Sequence, residues 1–243
     1  QILLDMDCGE GYDRSTLDLL GDQEKLMQAL IETGKPLVVV YIQGRTLKMN
    51  LAAEKANALL TAWYPGGEGG HAIADVLFGD YNPAGRLPVS IARNEGQLPI
   101  YYSKGKQRAY MDGEANALYS FGYGLSYTKF EYSDLQIKPG NGKDILQTVT
   151  CTVKNTGDRD GQEIVQLYIR DMVASIAQAP ILLKSFERVE LKKGESKTVT
   201  FNLGKQELSM YNAQLEEVVE PGDFKVMIGA ASDDIRLEGM FKL

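Results

Sequence analysis

Histidine and cysteine are nearly missing from this chain, and their shortage removes several kinds of chemistry at once. A single histidine, His71, stands among 243 residues. A Ser-His-Asp relay or a histidine-rich metal centre has almost nothing to be built from. The two cysteines, Cys8 and Cys151, are too few for a disulfide framework or a zinc site. No apolar run reaches the roughly 18 residues that a membrane-spanning helix needs. The opening QILLDMDCGEG lacks a basic start and a long apolar stretch, so no signal peptide is read there. No Asn-x-Ser/Thr acceptor occurs. Positive charge is also in deficit. Lys and Arg number 26 against 33 Asp and Glu, a net charge of −7. That is the wrong balance for nucleic acid, whose phosphates call for clustered cations. No cofactor, no metal, no nucleic-acid partner and no membrane span are expected.

What is present suits packed cores: 44% of the residues are apolar and 24% charged. The length fits one large or two ordinary domains. The first half alternates helix-like and strand-like runs. LLGDQEKLMQALIETGKP puts Leu26, Met27, Leu30 and Ile31 on one helical face, with Gly34 and Pro36 as stop signals. LVVVYI, from Leu37 to Ile42, is apolar without alternation, as in a parallel strand buried on both faces. LAAEKANALL reads as a second amphipathic segment leading into a strand at LLTAWYP. HAIADVLFGDYNPAGR reads as a short helix ending at Gly79. This βαβ order predicts a parallel sheet with helices on its faces. QILL counts as a further strand, giving about three in all, a sheet small enough to leave exposed edges and to favour self-association.

The second half changes period. LQTVTCTV, EIVQLYI, TVTFNL and FKVMIG alternate apolar with polar residues, the mark of a half-buried antiparallel sheet. NTGDRDG, KKGES and EPGD supply the turns. The pattern predicts an immunoglobulin-like β-sandwich. The division falls near residue 126: residues 1–125 form the α/β part, and 126–243 a linker and the sandwich.

Several residues invite a chemical reading. In CGEGYDR, Glu10 stands between two glycines and before the pair Asp13–Arg14. By itself this is a solvated loop acid beside a structural ion pair. Asp18 and Asp22 fit helix starts. Glu68 in PGGEGG opens a helix, whose N-terminus favours any carboxylate, and His71 packs at the start of that helix. PGGEGG lacks the Lys-Ser/Thr of a P-loop and the order of a dinucleotide fingerprint. Trp63 and Tyr64 read as packing residues at a strand end. Arg86 in NPAGRLP is expected to pair with a carboxylate. Nothing beside Cys8 lowers its pKa, and Cys151 falls on the inward face of its strand. FGYGLSY reads as an aromatic staple between the domains, with Tyr123 and Tyr127 as interface residues. LEEVVEPGD reads as an edge strand running into a turn.

The order of the longer motifs adds a resemblance. GEGYDRSTLDL, AWYPGGEGGHAIADVLFGDYNPAGRLPVS, QLPIYY and FGYGLSYTKFEYSDL together resemble the C-terminal part of glycoside hydrolase family 3, most of all its β-glucosidases. VKNTGDRDGQEIVQLYIRD and LKSFERVELKKGESKTVTFNL resemble the fibronectin type III-like domain of that family. Gly67 stands where relatives often carry Gln. The resemblance implies a parent with a (β/α)8 barrel, an α/β sandwich domain and the fibronectin-like domain. The barrel would supply the nucleophilic aspartate and most sugar contacts. A loop of the sandwich domain would supply the acid/base glutamate, which maps onto Glu10. The implied partners are the barrel, missing here, and a β-glucoside or short oligosaccharide substrate. The implied setting is periplasmic or secreted. No motif for the nucleophile is present, so the isolated chain is expected to be inactive. The rival expectation is a scaffold or carbohydrate-binding module without chemistry.

Overall fold

The computed structural model describes residues 8–11, 13–105 and 109–243. It divides into two compact units. The first comprises Gln1–Tyr81, Ser90–Ile100 and Ala109–Tyr119; the second comprises Asn82–Val89, Tyr101–Arg108 and Ser120–Leu243.

In the first unit, helix α1 (Gln23–Glu32) precedes strand β1 (Val38–Tyr41). Gly34, at φ +67°, gives the chain the left-handed turn that ends the helix. Helix α2 (Asn50–Lys55) and strand β2 (Ala58–Thr61) follow. The two strands run parallel, from Val38 opposite Ala58 to Tyr41 opposite Thr61. Helix α3 (Gly69–Phe78) ends at Gly79, whose φ is +85°. Two expectations differ from the structure, and a third falls outside the described residues. LAAEKANALL is helical only to Lys55, because extended backbone at Ala56 turns Ala58–Leu60 into strand. Of the four apolar residues on one face of α1, only Met27 is buried, while Leu26 is 62% and Leu30 43% exposed. The parallel sheet has two strands among the described residues, and QILL lies outside them.

The second unit is a β-sandwich. Strands β3 (Phe130–Pro139), β4 (Gln147–Asn155), β5 (Gly161–Asp171), β6 (Leu182–Leu191) and β7 (Ser196–Leu203) come first. The one-turn helix α4 (Lys205–Leu208), the short strands β8 (Met210–Tyr211) and β9 (Glu217–Val218), and then β10 (Asp223–Ala231) and β11 (Asp234–Lys242) complete it. One sheet has the order β11-β10-β5-β6 and the other β3-β4-β7, all antiparallel. The alternation seen in the sequence fills the space between them. Val149, Cys151 and Val153 of β4 and Val199, Phe201 and Leu203 of β7 meet Val165, Leu167 and Ile169 of β5 and Phe224, Val226 and Ile228 of β10. Burial pushes the Cys151 thiol up to about 11. LEEVVEPGD does not edge either large sheet. Its Glu217–Val218 pair with Met210–Tyr211 in a separate two-residue ribbon.

The other face of β5 is buried as well. Gln166 and Tyr168 point there, at 3% and 0% exposure. FGYGLSY lies over them. The Gln166 amide donates to the Gly122 carbonyl at 3.1 Å, and Phe121 stacks on Tyr102 with centroids 4.3 Å apart. A Cβ on Gly122 would sit 2.2 Å from Gln166 Oε1, so only glycine fits. On the inward face of β5, in line with Val165, Arg86 meets its carboxylate. Its Nη2 donates to both oxygens of Glu163, at 3.3 and 3.2 Å, with the two side chains 8% and 3% exposed. The Tyr132 hydroxyl also donates to Glu163, at 3.2 Å.

An ion pair buried this deeply is worth little against an apolar substitute, but removing one member strands the other charge. Arg86→Ala should therefore lower the unfolding free energy by about 3–5 kcal/mol, read as a drop in the urea midpoint. An unchanged midpoint would show that the pair is hydrated.

Candidate active site

The CGEGYDR loop sits where the two parallel strands end. Tyr64 lies three residues beyond β2 and Gly44 three beyond β1. Cys8 Sγ and the Tyr64 hydroxyl are 2.7 Å apart. Gly44 fits against both, because a Cβ there would come within 2.1 Å of the sulfur and 2.3 Å of the hydroxyl. At the other end of the loop, Asp13 reaches Arg45 Nη2 at 3.9 Å. Both ends of the loop thus lie against the consecutive residues Gly44 and Arg45. Glu10 stands between them, exposed, and Gly11 takes φ +74° to turn the backbone past it. The carboxyl ends of parallel strands are the usual position for a site in an open α/β sheet.

A buried amide organises the strand ends beneath the loop. Gln43 is fully buried. Its backbone N–H donates to the Trp63 carbonyl at 3.2 Å, its side chain donates to Thr61 Oγ1 at 3.0 Å, and its side-chain oxygen accepts from Leu47 N–H at 3.2 Å. Trp63 adopts φ +53°, a strained value for a bulky residue. After the loop, Leu17 exchanges backbone contact with Lys48, whose N–H donates to the Leu17 carbonyl at 2.6 Å. The Leu17 N–H donates to Glu95 Oε1, also at 2.6 Å. That hydrogen bond, the largest cause, holds the Glu95 carboxyl below its ordinary value of 4.5.

The expected pairing of Asp13 with Arg14 is not formed. Asp13 faces Arg45, and Arg14 instead donates to Thr16 Oγ1 at 3.5 Å. Asp22 does precede α1, but its side chain bonds Lys25 rather than a helix N–H. Asp18 pairs with Lys48 at 3.5 Å. Glu68 stands at the N-terminal end of α3, yet His71 is not packed there. Its ring is 88% exposed and lies 2.9 Å from Glu68 Oε2. Tyr64 is largely exposed, and its hydroxyl engages the loop at Cys8. Gln43, Gly44, Arg45 and Glu95 escaped sequence reading, since no motif marks residues that act by holding a loop. Among the described residues no cluster of three or more His, Cys, Asp or Glu is placed to hold a metal ion.

Chemically, the loop offers one carboxyl group, open to water and carried between glycines. Donating a proton at neutral pH takes desolvation, which requires a cover over the loop.

The comparisons with known proteins agree with this geometry. The family model described as the glycosyl hydrolase family 3 C-terminal domain matches residues 2–127, and that of the fibronectin type III-like domain matches residues 163–232. The chain is 44% identical to a Formosa agariphila β-xylosidase over 94% of its own length and 33% of the relative's. It is 42% identical to the periplasmic β-glucosidase of Salmonella typhimurium, over 96% of this chain and 32% of that one. The Listeria innocua β-glucosidase, solved with glucose, superposes with a TM-score of 0.88 at 37% identity, covering 96% of this chain and 34% of the other. The chain thus spans about a third of the length of these relatives.

Two outcomes follow for the loop. In native protein a thiol reagent should modify Cys8 and spare Cys151, and Gly44→Ala should speed the Cys8 reaction severalfold by prising the sulfur from Tyr64; an unchanged rate would refute the close contact. The Glu95 pKa is lowered on folding, so its hold on Leu17 is present above the unfolded value and lost as pH falls through the lower folded value. Hydrogen exchange at the Leu17 amide should therefore lose protection at acid pH, as the Glu95 carboxyl takes up its proton, and Glu95→Gln should remove that pH dependence.

Proposed function

Because the chain belongs to glycosyl hydrolase family 3, we propose that it provides the acid/base half of a retaining β-glucosidase active site, with Glu10 as the acid/base residue. The observation that carries this reading is the placement of Glu10, an exposed carboxyl at the ends of two parallel strands, on a glycine-flanked loop clasped at both ends. A retaining glycosidase works with two carboxyl groups roughly 5–5.5 Å apart, one attacking the anomeric carbon and one passing a proton to the leaving oxygen. The second role suits Glu10. Gly9 and Gly11 let the backbone come close to a sugar, and the Cys8–Tyr64 and Asp13–Arg45 contacts fix where the carboxyl sits. The nucleophilic aspartate belongs, on this reading, to a barrel domain of the whole protein, which also closes over the loop and supplies the desolvation. The substrate is then a terminal β-D-glucosyl residue of a glucoside or short oligosaccharide.

Further parts of the reading follow. Residues 1–125 form the C-terminal portion of the α/β sandwich domain, and residues 126–243 the linker and fibronectin-like domain. The setting is periplasmic or secreted, in keeping with the name of the Salmonella relative. The sheet, two-stranded among the described residues, favours self-association of the chain on its own through its edges.

The test has two steps. The 243-residue chain and its Glu10→Gln variant should both fail to hydrolyse an aryl β-D-glucoside; turnover that depends on Glu10 would place the nucleophile within this chain. Grafted in place of the matching third of the Listeria innocua relative, the chain should restore hydrolysis. Glu10→Gly should then cut kcat about 10²–10⁴-fold for substrates with poor leaving groups, and much less for activated aryl glucosides, with azide restoring the second step. Equal losses for both substrates would remove Glu10 from the acid/base role.

A further inference from the structure

The second unit carries a groove of about 520 Å³ on the β3–β4–β7 sheet. That volume lies within the roughly 300–1,000 Å³ typical of small-molecule sites. A break in β3 shapes it. Pairing jumps from Ser133 opposite Thr152 to Gln136 opposite Thr150, and Asp134 in the bulge takes φ +54°. Bulges commonly re-aim side chains beside sites, and a non-glycine residue held at positive φ is a cost that surrounding contacts must offset.

The lining is fixed from behind. The Arg236 guanidinium lies 4.7 Å over the Tyr132 ring, donates to the Phe130 carbonyl at 2.9 Å and pairs with Asp234 at 2.8 Å. Tyr132 is anchored in turn by its hydroxyl on Glu163. In front stand charges of both signs, Glu131 and Asp134 beside Lys154, with Arg236 behind them. Glu131 and Lys154 face each other in register, yet their side chains make no ion pair or hydrogen bond among the described residues. The hydroxyls of Thr152 and Ser196 stand beside them.

A single-sign pocket selects an ion. A groove with an unengaged carboxylate, an unengaged ammonium and neighbouring hydroxyls offers acceptors and donors side by side, which suits groups that both donate and accept. We propose that this groove binds a neutral polyhydroxylated ligand, a saccharide unit, with Glu131 and Lys154 as its two principal polar contacts. The assignment does not depend on the role given to Glu10.

The experiment is an NMR titration of the isotopically labelled 243-residue chain with cellobiose. Saturable shifts are expected at the amides of Ser133, Thr152, Lys154 and Ser196, with a Kd on the order of 1–10 mM. A Glu131→Ala/Lys154→Ala variant should bind at least about tenfold more weakly, while Glu10→Gln should bind as the parent does. Ser196→Trp fills the groove by bulk and should abolish the shifts even if the double variant is perturbed, and the remaining resonances report the fold in each case. Three results would overturn the proposal: no shifts in the groove at about 50 mM cellobiose, shifts of the same size with inorganic phosphate, or affinity unaffected by all of the groove variants. Shifts confined to the Glu10 loop would likewise reject the groove, whatever they said of Glu10.

Discussion

The fully buried side chain of Gln43 is the constraint on which the candidate site depends. An amide without solvent has to find protein partners, or folding bears the cost of its desolvation. Gln43 finds them on β2, at Thr61, and in the loop before α2, at Leu47, while its backbone N–H engages Trp63. The ends of β1 and β2 and the segments leaving them are thereby locked together. Gly44 and Arg45 follow immediately, so their positions are set by the same lock. The Glu10 loop then rests on a surface that has little freedom to move.

The second unit is organised by a different device with the same logic. Its core between the sheets is apolar and ordinary, but β5 is buried on both faces. It carries Glu163 at the end of its inward row and Gln166 on the far side, polar groups that must be satisfied. Arg86 and Tyr132 serve the carboxylate, and Gly122 serves the amide. These contacts explain why the distant stretches NPAGRLP and FGYGLSY belong with the sandwich rather than with the α/β unit that flanks them in sequence. They also hold Tyr132 as the platform for Arg236.

Much of this was legible in the residues. Alternation identified β4, β5, β7 and β10, and Gly79 marked the end of α3, because burial on one face and a left-handed cap each leave a local signature. The long motifs pointed to Glu10 and to the family. Other elements were not legible. β3, β6 and β11 were not read, all three being edge strands whose inward residues are mostly only partly buried. The helix read at LAAEKANALL lost half its length to β2, where pairing with β1 outweighed helical propensity. His71 and Asp13 were assigned wrong surroundings, because the nearest residue in sequence is not the nearest in space.

The sequence by itself determined the two kinds of layer and the inward faces of the sandwich, since periodicity acts over a few residues, and its resemblance to a family marked Glu10 as the candidate. Only the tertiary structure decided what holds that glutamate. Cys8 meets Tyr64 across 56 positions, Leu17 meets Glu95 across 78, and Arg86 meets Glu163 across 77. Contacts of that range leave no period and no motif. The partner is whichever group the folded backbone brings within reach, and for Arg86 and Glu163 burial makes the pairing obligatory.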